Sequence, residues 1–176
     1  LQIEKARRLD VEEDVYFDII RKKTATLIAA CCASGAAAAK QDEKTILKMQ
    51  KFGELTGIAF QMKDDLFDYY NDNNIGKPTG IDIKEQKMTL PLIYALKKAT
   101  KKEKKFIIST VKKHNTDTEK VQRVLDYVKQ SGGIEYTLKK MKQYQKDALS
   151  ILHEFNDNEA RRSLELLLNY VIERKK

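Results

Sequence analysis

Glycine and proline are so scarce in this sequence, and so unevenly placed, that long helices are expected over most of it. The 176 residues include 7 Gly and 2 Pro, and 34% of them are charged. Apolar residues recur at helical spacing, and no stretch of any length alternates apolar and polar side chains as a half-buried strand does. These features predict an all-α fold rather than a β-sandwich or a barrel.

Helical periodicity and chain breakers together divide the sequence into expected helices. These cover residues 1–9, 14–34, 43–70, 89–99, 102–114, 118–130, 134–155 and 159–176. Gly35 is expected to break or kink the second helix. Residues 71–86, which contain Gly76, Pro78 and Gly80, are expected to be irregular. Loops of that length are often functional.

Two patterns predict how the helices pack. Gly53 and Gly57 lie four residues apart in one expected helix. Each glycine costs up to ~1 kcal/mol in a helix interior, so close approach of another helix is the expected compensation. An apolar stripe in the last helix is expected to be core: Leu164, Leu167, Leu168, Val171 and Ile172. We expect residues 1–176 to form a single all-α unit, since this length suits one domain or part of a larger one.

The net charge of +8 admits three kinds of partner: nucleic acid, an anionic membrane surface or a phosphorylated substrate. Most lysines are spread along the expected helices, apart from the cluster KKATKKEKK at residues 97–105. No motif for DNA or RNA recognition accompanies that cluster. We therefore interpret it as a solvated face and expect no nucleic-acid partner.

Cysteine usage and hydropathy indicate the cytoplasm. Cys31 and Cys32 are adjacent, and neighbouring side chains of a helix point about 100° apart, which does not favour a disulfide between them. We expect both to be small buried residues of a reducing compartment. The most apolar run, residues 24–39, falls short of the ~20 residues that span a bilayer, so no transmembrane segment is expected.

Three carboxylates, Asp64, Asp65 and Asp68, fall within eleven residues, FQMKDDLFDYY. On a helix they lie within about 100° of one face, with Asp64 and Asp68 stacked one turn apart. Like charges so close repel, which favours a cation at this position. Mg²⁺ is the natural candidate because it prefers oxygen ligands and takes one or two protein carboxylates together with water and phosphate oxygens.

Basic and glycine-containing segments lie on both sides of these carboxylates in the sequence. Lys23 and Thr24 precede them, and Lys77, Asp82 and Lys87 follow them. Carboxylates for a metal and lysines for phosphate together indicate a site for a metal-bound diphosphate. The alternative is a solvated acidic helix face.

Four motifs occur in a fixed order: KTA (23–25), GxxxGxxFQxxDDxxD (53–68), GKxxGxD (76–82) and KxTLP (87–91). In this order and spacing they resemble the trans-isoprenyl diphosphate synthases, also called polyprenyl synthetases. The resemblance implies an all-α bundle around a deep cavity, with two aspartate-rich motifs facing each other. This sequence carries the second motif alone, so we expect it to be the C-terminal half of such an enzyme, without the first motif.

The resemblance also implies a reaction. Family members condense an allylic diphosphate with isopentenyl diphosphate after Mg²⁺-assisted ionisation, giving a longer trans-polyprenyl diphosphate. Carried onto this sequence, Asp64 is the expected direct ligand of a Mg²⁺ ion. Asp65 and Asp68 are expected to act mostly through metal-bound water. Family members are usually homodimers, so a homodimer is expected here.

The diphosphate site implied by the resemblance consists of lysines and two neutral side chains. Lys23 and Lys87 match the lysines that hold the diphosphate, and Lys77 occupies a matching loop position. Thr24 and Gln61 match polar residues that line the allylic site.

Other matched positions are expected to be structural. We assign Tyr16, Phe60 and Phe67 to packing, and Thr89 to capping the helix that follows it. Asp82 is expected to bind a lysine or to cap a turn. Gln86 stands where many members have a glycine, a departure that bears on the loop's geometry.

Three functions remain open at this point. The first is a prenyltransferase, active in its full-length form and inactive as this chain alone. The second is a non-catalytic subunit or diphosphate-binding module of a heteromeric synthase. The third, nucleic-acid binding, rests on charge alone. The short loops and the ending VIERKK favour a long-chain, octaprenyl-like product, although the segment that sets product length in the family is absent.

Overall fold

The computed structural model describes residues 12–70 and 79–174, and it is helical over most of that length, with no strand among those residues. The helices are α1 (Glu13–Ile20), a π-helical turn (Arg21–Ala25), α2 (Thr26–Ala38), α3 (Glu43–Phe67), α4 (Ile81–Lys84), α5 (Leu90–Lys98), α6 (Lys101–Lys113), α7 (Thr118–Gln130), α8 (Gly133–Leu152) and α9 (Glu159–Glu173). The predicted all-α fold is confirmed.

The helix boundaries depart from the sequence prediction in two places. Gly35 does not break α2, which continues to Ala38 through the surrounding alanines. A Cβ atom at Gly35 would meet nothing within 4 Å, so nothing crowds the helix there. Within the segment expected to be irregular, Ile81–Lys84 forms one helical turn. The expected helix at 1–9 and residues 71–78 lie outside the described residues.

The described chain divides into two compact units. Unit A contains residues 12–16, 64–70 and 79–138, and unit B contains residues 17–63 and 139–174. The chain passes from one unit to the other within helices α1, α3 and α8.

Unit A is built around helices α5, α6 and α7. Apolar side chains at helical spacing are buried in all three, among them Leu90, Ile93, Ile107, Val121 and Leu125. Polar caps fix where two of these helices begin. The Thr100 hydroxyl and the Glu103 side chain form a reciprocal capping box at the start of α6, and Asp117 caps α7.

Unit B contains the close helix approach that its glycines predict. A Cβ atom at Gly57 would lie 2.6 Å from the Cα of Ala25, and one at Gly53 would lie 2.7 Å from the carbonyl oxygen of Ile28. Real Cβ atoms essentially never make contacts that short. The two glycines therefore let α3 touch the backbone of the helical segment that contains Ala25 and Ile28, as expected.

The core of unit B corrects two predictions. Phe52, Leu55, Ala148, Leu152 and Leu168 form its centre, with Cys32 and Leu164 packed partly against them. Val171 and Ile172 are buried as expected, but Leu167 is 54% exposed, since its place on the helix turns it away from the residues that bury Leu168. Both cysteines are free, and Cys31 is exposed rather than buried.

Candidate functional site

The aspartate-rich motif occupies the last turn of α3 and the turn that follows it, and its three carboxylates have different surroundings. Asp65 and Asp68 are buried, with 9% and 8% of their surfaces exposed, whereas Asp64 is half-buried. A helical face turned partly inward explains the contrast, because adjacent residues point about 100° apart. The carboxylates are therefore not equivalent.

Asp65 is held by a tyrosine hydroxyl. The Tyr16 hydroxyl donates a hydrogen bond of 2.8 Å to Oδ2 of Asp65, and both side chains are buried. Burial, and then the negative charge of Asp65, raise the pKa of Tyr16 well above its ordinary value of 10.0. The phenol thus remains a hydrogen-bond donor at neutral pH. Packing was the role expected for Tyr16, and the hydrogen bond is additional to it.

Asp68 binds the backbone at the start of α4. Its Oδ1 accepts a hydrogen bond from the Ile81 amide at 2.8 Å, and its Oδ2 accepts one from the Asp82 amide at 3.1 Å. The Asp68 carbonyl oxygen accepts a third from the Gly80 amide, also at 3.1 Å. The first amides of a helix lack intrahelical acceptors, and the Asp68 carboxylate supplies acceptors for two such amides of α4.

Lys87 lies at the far end of the same segment. Its Nζ atom is 3.1 Å from Oδ1 of Asp82 and 2.5 Å from Oε2 of Glu85. Partial burial lowers the pKa of Lys87, but the hydrogen bonds to Glu85 and Asp82 outweigh that effect, and the pKa is raised. Asp82 thus binds a lysine, which was one of its two expected roles.

The loop position that departs from the family pattern has an unusual backbone. Gln86 has a φ of 58°, in the left-handed region that glycine adopts at least cost. A glycine at this position would adopt the same turn without strain. The turn itself is retained here by a non-glycine residue.

Thr89 does not cap the helix after it, contrary to the prediction. It has the extended backbone of an N-cap residue, but its side chain makes no capping hydrogen bond. Its Oγ1 atom lies 2.6 Å from the buried Tyr69 hydroxyl instead. Burial raises the pKa of Tyr69 far above its ordinary value, so this phenol also stays protonated. The tyrosine takes the hydroxyl that would otherwise have capped the helix.

The site residues in unit B lie on an unusual helical turn. Lys23 and Thr24 belong to the π-helical turn Arg21–Ala25, a geometry that is rare and often found at functional sites. The Thr24 hydroxyl donates a hydrogen bond of 2.8 Å to Oε1 of Gln61. Two predicted site residues are thereby brought together, and Lys23 is exposed. Lys77 lies outside the described residues.

Sequence reasoning missed three features of these surroundings: the Tyr16 hydrogen bond, the pairing of Tyr69 with Thr89, and the π-helical turn. Each tyrosine could be identified only as an apolar residue at helical spacing, since its hydroxyl partner is distant in sequence. The π-helical turn does carry a signal, because the buried residues Ile20 and Ala25 are five apart rather than three or four.

Mg²⁺ can be held by fewer protein ligands than a preformed metal cage supplies. Among residues 12–70 and 79–174, no group of three or more His, Cys, Asp or Glu side chains is arranged to hold a metal ion. Mg²⁺ commonly uses one or two protein carboxylates and fills its remaining positions with water and phosphate oxygens. The carboxylate oxygens of Asp64, Asp65 and Asp68 are ligands of the kind that Mg²⁺ prefers.

Comparison with known proteins identifies the family. The polyprenyl synthetase family model matches residues 1–128. A short chain isoprenyl diphosphate synthase of Methanothermobacter thermautotrophicus is 34% identical over 168 residues, which cover 95% of this chain and 51% of that protein. The chain belongs to the polyprenyl synthetase family, and it spans about half the length of the curated relatives it matches.

Solved structures support the same fold. A geranylgeranyl pyrophosphate synthase from Bacteroides thetaiotaomicron is 37% identical, with a TM-score of 0.91 over 98% of this chain and 57% of that one. One from Corynebacterium glutamicum, complexed with isoprenyl diphosphate and magnesium, is 28% identical, with a TM-score of 0.88 over 99% of this chain and 50% of that one. Other matched relatives are named for products ranging from geranylgeranyl to octaprenyl diphosphate.

None of the helices in the described part of the chain combines the length and the apolar character that a bilayer span requires.

Proposed function

We propose that this chain is the second-aspartate-motif half of a prenyltransferase that condenses an allylic diphosphate with isopentenyl diphosphate. The observation that carries the proposal is the set of hydrogen bonds from Gly80, Ile81 and Asp82 to Asp68. These bonds tie the acidic motif to the segment that contains Lys87. Carboxylates for a divalent cation and a lysine for phosphate are what recognition of a metal-bound diphosphate requires.

Mg²⁺ is the cofactor in this proposal. Asp64 would hold it directly, while Asp65 and Asp68, which already accept hydrogen bonds from Tyr16 and from backbone amides, would act through water. When bound, the cation would supply positive charge that stabilises the departing diphosphate. The relative from Corynebacterium, whose structure contains magnesium and isoprenyl diphosphate, supports this choice.

The lysines contribute fixed positive charge at the diphosphate. Lys87 is paired with Asp82 and Glu85 in the absence of ligand, and its raised pKa keeps it charged. A diphosphate would compete with those carboxylates for its three N–H donors. We assign Lys23 and Lys77 the same role. Thr24 and Gln61, which are hydrogen-bonded to each other, would present a polar edge to the allylic substrate.

We further propose that this chain alone does not turn over substrate. The DDxxD pattern occurs once in its 176 residues. We assign Asp64 as the direct carboxylate ligand of this chain, while Asp65 and Asp68 accept hydrogen bonds from protein donors. Further carboxylates would have to come from a first aspartate motif. We propose that the complete enzyme is a cytoplasmic homodimer and that its product is a long-chain, octaprenyl-like diphosphate.

A second candidate is a binding subunit of a heteromeric synthase. A matched relative from Bacillus subtilis, 30% identical over 175 residues, is named as component 2 of a heptaprenyl diphosphate synthase. That name favours assembly with a different chain. Size measurement of the purified protein, alone and with a candidate partner, distinguishes this arrangement from a homodimer.

Thermal unfolding in the presence of farnesyl diphosphate tests the proposal. A ligand at about 100 times its dissociation constant adds ~2.7 kcal/mol to the free energy of unfolding, which is readily measured as a rise in melting temperature. We expect a rise that requires Mg²⁺ and is lost in Asp64→Ala.

Glu119→Ala provides the control, because Glu119 is an exposed carboxylate on α7 that belongs to none of the four motifs. Its response to farnesyl diphosphate should equal that of the unsubstituted chain. A rise that is independent of Mg²⁺, or that survives in Asp64→Ala, would contradict the assignment of Asp64.

A further inference from the structure

We infer that Asp68 is a positioning residue, which fixes the segment from Gly80 to Lys87 and acts on the diphosphate through Lys87 rather than as a metal ligand. The action on the diphosphate through Lys87 rests on the proposed function, whereas the anchoring of the segment by Asp68 does not. The inference separates Asp68 from Asp64, although the two carboxylates belong to one motif and lie one helical turn apart.

The first argument is the use of the Asp68 carboxylate itself. Both of its oxygens accept backbone hydrogen bonds, from Ile81 at 2.8 Å and from Asp82 at 3.1 Å. Gly80, the N-cap residue of α4, has no side chain that could serve these amides. The Ile81 amide makes a partly buried hydrogen bond, and leaving it without an acceptor costs up to about 1–3 kcal/mol, so the first turn of α4 depends on a carboxylate thirteen residues earlier in the chain.

The second argument is the fit of the segment around Gly80. Its φ of 78° is in the left-handed region, and a Cβ atom there would lie 2.8 Å from Cγ1 of Val121 on α7. The backbone therefore passes close to α7 at the point where the Gly80 amide binds the Asp68 carbonyl oxygen. Four residues of α4 would not form a stable helix alone, because helix nucleation is unfavourable. Contacts from outside must hold it.

The third argument is the connection from α4 to Lys87. The Lys87 amide donates a hydrogen bond of 2.8 Å to the carbonyl oxygen of Asp82, whose own amide is bound by Asp68. The Asp82 side chain then contacts Nζ of Lys87 at 3.1 Å. Asp68 therefore holds the amide of Asp82. The carbonyl oxygen and the carboxylate of Asp82 in turn hold the amide and the Nζ atom of Lys87. Losing Asp68 should let Lys87 move.

Amide hydrogen exchange in the ligand-free chain tests the anchoring. In Asp68→Ala the Ile81 and Asp82 amides should lose protection by about tenfold or more, since both acceptors are gone. Asp68→Asn, which keeps one acceptor oxygen and the same shape, should retain protection at one of the two amides. Asp64→Asn is the matched control, and it should leave both amides as protected as in the unsubstituted chain.

Binding of inorganic diphosphate, measured by calorimetry at several Mg²⁺ concentrations, tests the action through Lys87. Asp68→Ala should weaken diphosphate binding about tenfold, and it should change the Mg²⁺ concentration at half-saturation less than Asp64→Asn does. Lys87→Met should cost little further affinity in the Asp68→Ala background, because Lys87 is already misplaced there. Asp64→Asn should raise the Mg²⁺ concentration required.

The outcomes separate the two proposals. Unchanged protection in both Asp68 variants, or equal loss in Asp64→Asn, overturns the inference. A Mg²⁺ requirement raised as much in Asp68→Asn as in Asp64→Asn makes Asp68 a direct metal ligand and also overturns the inference. If the unsubstituted chain binds no diphosphate, the proposed function fails for this chain, while hydrogen exchange still decides the anchoring. If Asp68→Ala does not fold, the two amides in Asp68→Asn give the decision.

Discussion

The middle of helix α3 and its C-terminal end are fixed by opposite means. In unit B its glycines remove side chains, so that the backbone around Ala25 and Ile28 can touch the helix directly. In unit A its last residues add polar side chains, and Asp65 and Asp68 accept hydrogen bonds from a tyrosine and from backbone amides. The first contact depends on volume, and the second depends on hydrogen-bond acceptors.

The two contacts tolerate different substitutions. A contact made by glycine does not require a particular chemical group, but it has no room for a methyl group. A contact made by a buried carboxylate accommodates the isosteric amide, but it loses stability when a donor is left without a partner. Substitutions that change size alone or polarity alone can therefore distinguish the glycine contact from the carboxylate contacts.

The largest effect is expected at the glycine contact. Gly57→Val should lower the free energy of unfolding by at least about 3 kcal/mol, because the new side chain would meet the Cα of Ala25, which cannot move aside without shifting the helix. Urea denaturation measures this. Gly35→Ala is the control, since its Cβ meets nothing, and it should add up to ~1 kcal/mol. Equal effects of the two changes would contradict the contact.

The polar end should respond less. Tyr16→Phe removes the hydroxyl that donates to Asp65 and keeps the ring, so it should lower the free energy of unfolding by about 1.5–3 kcal/mol. The same denaturation experiment serves. Tyr170→Phe is the control, because Tyr170 is 64% exposed, and it should change the stability by less than about 0.5 kcal/mol. A Tyr16→Phe variant as stable as the unsubstituted chain would show that Asp65 has another sufficient hydrogen-bond donor.

A smaller, favourable effect is expected at Gln86. Gln86→Gly should raise the free energy of unfolding by up to ~1 kcal/mol, because relief of the left-handed strain exceeds the entropy that glycine adds to the unfolded chain. Gln86→Ala keeps the strain and should give no gain. If both substitutions act alike, strain at this residue is not the cause.

A loss of stability is also expected in alkali. A phenol whose folded pKa lies above its unfolded value binds its proton more tightly in the folded state. The contribution of Tyr16 is therefore complete below about pH 10 and decreases as the pH rises above that value. Denaturation midpoints at about pH 9 and about pH 11.5 should differ, and Tyr16→Phe should reduce the difference. Lys87, whose pKa is also raised, acts in the same direction.

The sequence predicts the glycine contact of α3 better than the hydrogen bonds at its C-terminal end, for a physical reason. Spacing alone identifies Gly53 and Gly57, because a four-residue interval in a helix has one geometric meaning. Asp65 and Asp68 are likewise visible, but their donors are not. Tyr16 lies 49 residues from Asp65, and nothing in the local pattern pairs them. The residue types that can bind a ligand are therefore visible in the sequence, whereas the protein groups that hydrogen-bond to those residues depend on the tertiary fold.

Errors elsewhere have the same origin. Leu167 and Leu168 are both apolar and adjacent, so composition treats them alike, yet Leu168 alone is buried. Thr89 has the backbone of a cap residue, but the Tyr69 hydroxyl, twenty residues away, takes its side chain. In each case a contact distant in sequence overrides a preference that holds locally.

The π-helical turn determines how the chain can change in length. Ile20, Ala25 and Ala29 are all buried, with one interval of five residues and one of four. The longer interval falls on the π-helical turn, whose wider winding brings the fifth residue back to the same side. Deleting one residue between Ile20 and Ala25 would restore an ordinary α-helix and keep the stripe straight. Lys23 and Thr24 lie within this turn, so a one-residue deletion there would remove or displace a proposed site residue while keeping the buried stripe.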